Sequence, residues 1–153
     1  AVVTSAKVGM ALNDSAVGAW NSKFYYNLMR PETYIQRNID PTFEPILNNP
    51  ITQETGITPP FPAHPSGHST FAGSSSEILS SIFGYSYSMT DRCHENRGDF
   101  LGTPRTFNSF KQMANEIAWS RVTLGVHFRV DNDEALNYGA QIGRAVNALP
   151  WKK

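Results

Sequence analysis

The stretch FPAHPSGHST, residues 61–70, decides how the rest of the chain is interpreted. Its second proline and Ser66 are typical of a helix start, and the run FAGSSSEILSSIFG (71–84) is typical of the helix itself, ended by its last glycine. Steps of three and four residues from His68 trace one face of this helix. The members of that face are His68, Phe71, Ser75, Ile78 or Leu79, and Ile82. We therefore expect His68 at the N-terminal end of a stripe that faces the protein interior.

The first turn of this helix is predicted to bind an anion. The N–H groups of Ser66, Gly67 and His68 precede the first intrahelical hydrogen bonds, and the positive end of the helix dipole lies at the same place. Such a helix start favours oxyanions of the phosphate type. These residues alone also allow a simpler alternative, a capped helix whose first-turn histidine is half exposed.

The composition predicts a single domain without the charge that nucleic-acid binding requires. The chain has 153 residues, enough to bury a core, with 13 basic and 13 acidic residues and zero formal net charge. No apolar run is long enough to span a bilayer. The single cysteine, Cys93, excludes an internal disulfide, and Cys93 with His94 is a weak basis for a zinc site.

Hydrophobic periodicity predicts an all-α chain. Four helices are expected, at about 6–30, from Pro65 to Gly84, at about 109–124 and at about 132–148. The first helix is expected to stop at Pro31. The proline-rich segment before Pro65 is expected to be irregular, apart from a short helical turn near 43–47. Turn signals in residues 85–107 predict a polar loop.

Basic residues extend the apolar faces of two of these helices. Arg121 follows a stripe formed by Phe110, Met113, Ala114, Ile117 and Ala118. Lys23 and Arg30, about 10 Å apart on a helix, share a side of the first helix with Ala16, Trp20 and Asn27. Such side chains are costly to bury unless they meet an anion, although lysine and arginine also reach water from inward faces. Because neither stripe contains an acidic residue, the pattern favours an anionic ligand.

The stretch SRVTLGVHFRVD, residues 120–131, adds a histidine to this set. Arg121 and His127 are six residues apart, which on one continuous helix would put them on different faces. Gly125 offers a break that would bring the two side chains together. Asp131 follows His127 by four residues, a spacing at which a carboxylate can orient an imidazole. Asp131 is also a candidate N-cap of the last helix, and the two interpretations are compatible.

Three ordered segments together resemble the signature of a known superfamily. The segments are KFYYNLMRP (23–31), PSGH (65–68) and SRVTLGVH (120–127). They resemble the motifs shared by vanadium-dependent haloperoxidases and acid phosphatases of the phosphatidic-acid phosphatase type. The neighbouring stretches RPETYI, PPFPAHPSGHSTF and LGVHFR are most similar to the bacterial haloperoxidases. The resemblance implies a helical bundle of that type, with residues 1–153 as its C-terminal, vanadate-binding portion.

The resemblance implies a role for each matched residue. His127 would bind vanadium through an imidazole nitrogen, and His68 would be the acid–base group that handles the protons of peroxide. The vanadate oxygens would be held by Lys23, Arg30, the Ser66 hydroxyl, the Gly67 N–H and Arg121. These residue types suit an oxyanion removed from water, since each oxygen then needs a fixed donor. Asp131 is inferred from its spacing to orient His127.

The implied reaction is the oxidation of halide by hydrogen peroxide. Pentavalent vanadium would polarise bound peroxide, a halide would attack one peroxide oxygen, and hypohalous acid would leave to react with an organic acceptor. Trp20 and Phe61 match positions where chloroperoxidase-like members carry aromatic residues beside the halide, and both are equally explained as core residues. His64 has no matched role: it is either an extra proton donor or a surface residue.

Two other functions are compatible with the same motifs. A phosphatase would use His127 as nucleophile and His68 as general acid, with phosphate in the same pocket. A non-catalytic half-domain would bind an oxyanion and only complete another subunit, but it would not need His68. Trp20, Phe61 and the lack of a membrane span favour the haloperoxidase.

The resemblance also implies helices that this chain does not contain. Haloperoxidases of this type are much longer, whereas only 22 residues precede Lys23, and the chain begins with Ala1 rather than methionine. The first helix is apolar on several sides, which is typical of a helix with several neighbours. We therefore expect N-terminal helices from a companion segment or chain, or a homo-oligomer, to cover it. The family resemblance further implies a secreted or periplasmic location.

Overall fold

The computed structural model describes residues 1–49, 51–99 and 101–151, which form a helical bundle with one small hairpin. The helices are α1 (Val2–Tyr26), α2 (Pro31–Asn38), α3 (Gly67–Phe83), α4 (Phe110–Thr123) and α5 (Arg129–Asn147). The strands are β1 (Met89–Asp91) and β2 (Arg105–Phe107). Helix α3 is central, because it packs against α1, α4 and α5. The predicted all-α bundle is confirmed.

Helix α1 ends four residues earlier than predicted, so the expectation that it carries Arg30 is wrong. Asn27 adopts the left-handed conformation (φ 48°, ψ 41°), and its N–H donates to the carbonyl of Lys23. Asparagine tolerates this conformation better than most residues, and it ends the helix as a C-cap. Arg30 lies beyond the helix, in extended backbone immediately before α2. Lys23 and Arg30 therefore do not share a helical face.

Pro31 begins a helix rather than only ending one. It occupies the first position of α2, where its missing N–H costs nothing and its fixed φ is already helical. The sequence analysis did not predict α2. The short helical turn expected near 43–47 is also wrong, since these residues are irregular. The described part of the segment 39–66 contains no helix.

Helix α3 begins where the sequence predicts, with a different face buried. Ser66 is the N-cap and accepts a hydrogen bond from the N–H of Ser69, and Gly84 ends the helix. The buried face carries mostly small residues: Gly67, Ser69, Thr70, Gly73, Ser74, Ile78 and Ser80. His68, Phe71, Ser75 and Leu79 of the expected stripe instead line an open groove of about 380 Å³ between α3 and α4. His68 is exposed at its end, so the expectation that the stripe faces the interior is wrong.

Small residues let α3 and α5 approach very closely. A Cβ built on Gly139 of α5 would lie 2.1 Å from the carbonyl oxygen of Thr70, and one on Gly73 of α3 would lie 2.4 Å from that of Leu136. Both contacts are with backbone, so neither can be relieved by rotating a side chain. This tight contact fixes the start of α5 beside the start of α3.

The break between α4 and α5 occurs where the sequence predicts. Gly125 has φ +78°, a conformation that side-chain-bearing residues rarely adopt. Helix α5 then begins at Arg129, three residues earlier than expected, with Phe128 as its N-cap. Asp131 is therefore not the N-cap. It lies in the first turn, and its carboxylate accepts the N–H of Phe128 at 3.0 Å.

Residues 85–107 include a hairpin that the sequence analysis expected to be loop. Strands β1 and β2 pair antiparallel, with Met89 opposite Phe107 and Asp91 opposite Arg105. Each strand has only three residues, too few to show a clear alternation in the sequence. Cys93 and His94 lie in the exposed turn that follows β1.

The apolar core is small, and many large apolar side chains are exposed. The core cluster consists of Ala11, Ile78 and Val146, with Val8 and Trp151 packed against it. In contrast, the outer surface of α1 exposes Val17, Phe24 and Tyr25 by 66 %, 62 % and 80 %. None of the helices in the described ranges is long and apolar enough to cross a membrane.

Candidate oxyanion site

The site lies where the C-terminal ends of α1 and α4 meet the N-terminal starts of α3 and α5. Lys23 is its most deeply buried cation. Lys23 has no exposed surface, and its Nζ donates to the carbonyls of Pro62 and Ala63, both at 2.9 Å. Burial and, to a smaller extent, the charge of Arg30 lower the pKa of Lys23 from 10.5 to about 7, while Asp131 opposes the shift. Lys23 is thus poised to gain a proton when an anion approaches.

Arg30 connects three segments of the chain at the site. Its Nε donates to the carbonyl of Phe61 at 2.9 Å, and its Nη1 donates to the carbonyl of Val126 at 2.8 Å. The same Nη1 lies 3.0 Å from Nε2 of His127. Although α1 does not extend to Arg30, the C-capped turn after Tyr26 brings its guanidinium back beside Lys23.

The contacts of His127 define its tautomer. Nδ1 lies 3.3 Å from Oδ2 of Asp131, and Nε2 faces the guanidinium of Arg30. Because a guanidinium only donates hydrogen bonds, Nε2 must be the accepting nitrogen, and the ring proton sits on Nδ1. Burial lowers the pKa of His127 to about 4, so the ring is neutral at pH 7. A neutral imidazole with its Nε2 lone pair turned into a cationic site is suited to bind an electron-poor centre.

Asp131 receives hydrogen bonds from two histidines. Its side chain is almost fully buried, and Oδ1 lies 3.2 Å from Nδ1 of His64, while Oδ2 faces His127. These hydrogen bonds and that from Phe128 keep the pKa of Asp131 below its usual value despite burial, which opposes the shift most strongly. His64, left without a matched role by the sequence, is therefore neither free nor a simple surface residue.

The start of α3 contributes donors to the same place. The N–H of Ser66 is not available to an anion, since it donates to the backbone carbonyl of Asp131 at 2.9 Å. Gly67 and His68 occupy the first two helical positions, whose N–H groups have no intrahelical acceptor. A Cβ on Gly67 would lie 2.9 Å from the Trp20 ring, so glycine here allows that ring to lie close to the backbone.

His68 and Arg121 complete the set. Arg121 is buried, with 8 % of its surface exposed. His68 is exposed, yet desolvation and the charges of Arg121, Lys23 and Arg30, in that order, lower its pKa below 6.5. Because all three cations act on His68, the four side chains lie within electrostatic range of one another.

The donor set fits a multiply charged oxyanion. In the described part of the chain, three cations, Lys23, Arg30 and Arg121, are buried together with one carboxylate, that of Asp131. Within the described residues, the buried side-chain polar atoms without a hydrogen-bond partner are Arg30 Nη2, Arg121 Nε and Thr58 Oγ1. An unpaired buried guanidinium N–H is costly, and an oxygen of a tetrahedral or bipyramidal anion would satisfy it.

Trp20 and Phe61 lie beside the cations. The two rings are 5.3 Å apart between centroids, and Lys23 Nζ lies 5.7 Å from the Trp20 ring and 5.3 Å from the Phe61 ring. The guanidinium carbon of Arg30 lies 5.1 Å from the Phe61 ring. These aromatic faces shield the cations from water on one side, and a desolvated cation interacts more strongly with an anion.

The sequence analysis missed the supporting residues of the site. The carbonyls of residues 61–63 hold Lys23 and Arg30, and the proline-rich composition of that segment was the available signal. Asn132 was missed as well. Ser69 Oγ lies 2.7 Å from Asn132 Oδ1 and 3.1 Å from Ser66 Oγ. The Asn132 amide oxygen is the nearer acceptor for the Ser69 hydroxyl, and the Ser66 hydroxyl lies within hydrogen-bond distance of the Ser69 oxygen.

Fold and candidate site together define a helical bundle with a buried cluster of cations around a histidine. Residues 4–150 match the family described as VCPO second helical-bundle domain. A stretch of 74 residues, 44 % of this chain and 12 % of the relative, is 35 % identical to vanadium chloroperoxidase of Curvularia inaequalis. The chain therefore belongs to the vanadium haloperoxidase family.

Solved structures agree with this assignment. The chain is similar to the crystal structure of a bacterial vanadium-dependent iodoperoxidase, with a TM-score of 0.82 and 34 % identity, over 95 % of this chain and 32 % of that one. A bacterial vanadium-dependent chloroperoxidase in its holo form has the same fold, with a TM-score of 0.72 at 16 % identity, over 92 % of this chain and 34 % of that one. The chain thus spans about a third of the length of these structures.

Proposed function

We propose that the chain is the C-terminal, vanadate-binding portion, residues 1–153, of an enzyme that oxidises halide with hydrogen peroxide to hypohalous acid. The observation that carries the proposal is the pair of buried, unpaired arginine N–H groups on Arg30 and Arg121, together with a histidine whose Nε2 accepts from Arg30. A carboxylate-rich cation site would need the opposite charges. Membership of the vanadium haloperoxidase family supports vanadate as the oxyanion that these residues would hold.

Each residue of the site has a distinct task in this proposal. His127 would bind the metal through Nε2, and Asp131 would keep the proton on Nδ1. Lys23, Arg30 and Arg121 would neutralise the oxyanion, with the Ser66 hydroxyl and the Gly67 N–H as further donors. When bound, vanadate would supply Lewis-acid activation of hydrogen peroxide.

His68 would move the proton of hydrogen peroxide. Desolvation and then the surrounding cations lower its pKa, so that the free ring is neutral and can accept a proton at pH 7. A bound anion would offset those cations and return the pKa towards its ordinary value, which suits the later donation of the same proton. Trp20 and Phe61 would limit the access of water to this position and form the wall next to the halide.

The direct test is an assay of the purified protein for two reactions. With vanadate and hydrogen peroxide added, iodide, bromide and chloride are each tested for oxidation, with an organic acceptor to trap hypohalous acid. Without peroxide, a phosphate ester is tested for hydrolysis. Vanadate-dependent halide oxidation supports the proposal. Hydrolysis of the phosphate ester that vanadate inhibits, with no halide oxidised, would instead identify a phosphatase with His127 as nucleophile. If the protein catalyses neither reaction, the non-catalytic oxyanion-binding half-domain is the function that remains.

We also propose that further helices, from a companion segment or chain or a second copy, cover the exposed side of α1. The support is its row of large exposed apolar side chains, including Val17, Phe24 and Tyr25. Light scattering on the purified protein checks this. Dimerisation, aggregation or a co-purifying polypeptide is expected. A stable, cooperatively unfolding monomer of this chain with full halide-oxidising activity would contradict it.

A further inference from the structure

The ring of His64 is held on two sides. On one side, its centroid lies 5.5 Å from that of Tyr26, with the rings at 80° in an edge-to-face arrangement. On the other side, its Nδ1 faces the carboxylate of Asp131 at 3.2 Å. Only 19 % of the His64 side chain is exposed. This is the environment of an oriented side chain rather than that of a surface histidine.

The Asp131 carboxylate is fully engaged by the residues around it. Oδ2 accepts from His127 Nδ1 and from the N–H of Phe128, and Oδ1 faces His64. Without the bond from His64, Oδ1 would be a buried carboxylate oxygen with no partner. The carboxylate could then rotate to share its oxygens differently, and the bond to His127, already long at 3.3 Å, is the one most exposed to such a change.

His64 is not needed merely to hold the segment around Ser66 against the segment around Asp131. The backbone already joins them, since the N–H of Ser66 donates to the carbonyl of Asp131 at 2.9 Å. The N–H of Ala63 donates to the carbonyl of Leu28 at 2.8 Å, which also ties the segment around His64 to the residues that follow α1. The additional contact of His64 is with the carboxylate itself, which accepts the Nδ1–H of His127 and so favours that tautomer together with Arg30 at Nε2.

We propose that His64 is a positioning residue that acts through Asp131 to hold His127 as the Nδ1–H tautomer, with an unprotonated Nε2 that can exchange its contact with Arg30 for the vanadate metal. The chain is His64 Nδ1–H to Asp131 Oδ1, and Asp131 Oδ2 to His127 Nδ1–H. Outer partners of a metal-binding histidine fix its orientation and tautomer in this way. The identity of the ligand rests on the proposed function, but the tautomer of His127 does not.

The test uses two substitutions that separate the ring from its donor. His64→Phe keeps a ring against Tyr26 and removes the Nδ1–H. His64→Asn loses the ring but places an amide N–H close to the position of Nδ1. The chain has four histidines, so the ring nitrogens of His127 can be assigned by single substitutions in a ¹⁵N-labelled protein. Those nitrogen shifts report the tautomer in the absence of vanadate, halide and peroxide.

Vanadate affinity, measured by equilibrium dialysis, is the second readout. His64→Phe is expected to shift the His127 nitrogens towards a mixture of tautomers and to weaken vanadate binding by about 10-fold, the lower end of such outer-partner effects. His64→Asn is expected to restore most of both. Unchanged nitrogen shifts in His64→Phe would overturn the proposal, as would equal losses in both variants. A wild-type protein that oxidises no halide would overturn the proposed function alone, since the tautomer measurement would still stand.

Discussion

The two sides of α1 differ in a way that is opposite to an ordinary surface helix. Its buried side carries Ala11, Ser15, Ala19 and Lys23, which are small or charged. Its exposed side carries Val17, Phe24 and Tyr25 among other large apolar residues. Fully burying one such apolar side chain stabilises a fold by roughly 1.5–3 kcal/mol, so this helix leaves much of its apolar contribution unused.

This difference shows what each side of the helix is shaped to do. The buried side lets α3 approach closely, with Ser15 Oγ donating to Ser74 Oγ at 2.8 Å, and it ends at the buried cation of the site. Its residues serve geometry and charge rather than apolar area. The large apolar side chains of α1 lie on its exposed side and not on its buried side. Substitutions on the side of the site should therefore change binding, activity or stability strongly, and substitutions at outer positions should change them weakly.

The largest effect is expected from His127. His127→Ala should abolish the retention of vanadate through gel filtration, because the Nε2 ligand is lost, while circular dichroism shows that the helices remain. His94→Ala, an exposed position after β1, is the matched control and should retain vanadate normally. A His127→Ala protein that kept vanadate at wild-type stoichiometry would rule out the assignment.

The next effect is expected from His68. His68→Ala should reduce halide oxidation by about 10²- to 10⁴-fold, the usual contribution of a positioned acid–base group. It should weaken vanadate binding much less than His127→Ala does, since His68 is assigned to proton transfer. Steady-state rates and dialysis on the same protein separate the two effects. Halide oxidation at the wild-type rate would show that the role given to His68 is wrong.

The third prediction compares two glycines. Gly139→Ala should lower the free energy of unfolding by about 1–3 kcal/mol, because its Cβ would meet backbone atoms of α3, which must move apart. Gly9→Ala, on the exposed side of α1 where a Cβ meets nothing within 4 Å, should instead stabilise by about 0.5–1 kcal/mol. Denaturant unfolding of both variants is the measurement. Equal effects would remove the distinction between the two regions.

The smallest expected effect is the uptake of less than one proton by Lys23 when an anion binds. Its pKa of about 7 leaves it mostly neutral in the free protein at pH 8, and a bound anion raises that pKa, so binding takes up protons. Lys23 in the unfolded chain keeps the ordinary pKa of 10.5, so between pH 7 and 10.5 the unfolded chain binds this proton and the folded chain does not. Lys23 therefore makes the free energy of unfolding rise with pH in that window. Titration calorimetry with phosphate at pH 8, in buffers of different ionisation enthalpy, measures the uptake. In Lys23→Arg it should fall, because arginine is already charged.

Much of the site was predictable because its residues conflict with their local pattern. Arg121 continues an apolar stripe, and His68 follows a helix cap, so each favours the hypothesis of an anionic ligand without any knowledge of the fold. The end of α1 was not predictable in the same way. Periodicity continues past Tyr26, and only the left-handed turn at Asn27 moves Arg30 out of the helix. A single backbone conformation of this kind leaves no periodic trace in the sequence.

His64 illustrates the second limit. Its partner, Asp131, is 67 residues away in the chain, and the contact depends on the close approach of α3 and α5. That approach depends in turn on Gly73 of α3 and on Gly139 and Gly143 of α5, and the four-residue spacing of the last two does not say which helix they face. The sequence could place His64 near Ser66, but it could not place the carboxylate beside it. The buried face of α3 was missed for a similar reason, because small polar residues do not register as an apolar stripe.

The most direct test of the account is a crystal structure of the protein with vanadate added. The account predicts one vanadate per chain, with density continuous from Nε2 of His127 to the metal and with Arg30 Nη2 and Arg121 Nε bonded to its oxygens. Vanadate bound elsewhere, or a His127 that still faces only Arg30 at saturating vanadate, would contradict it.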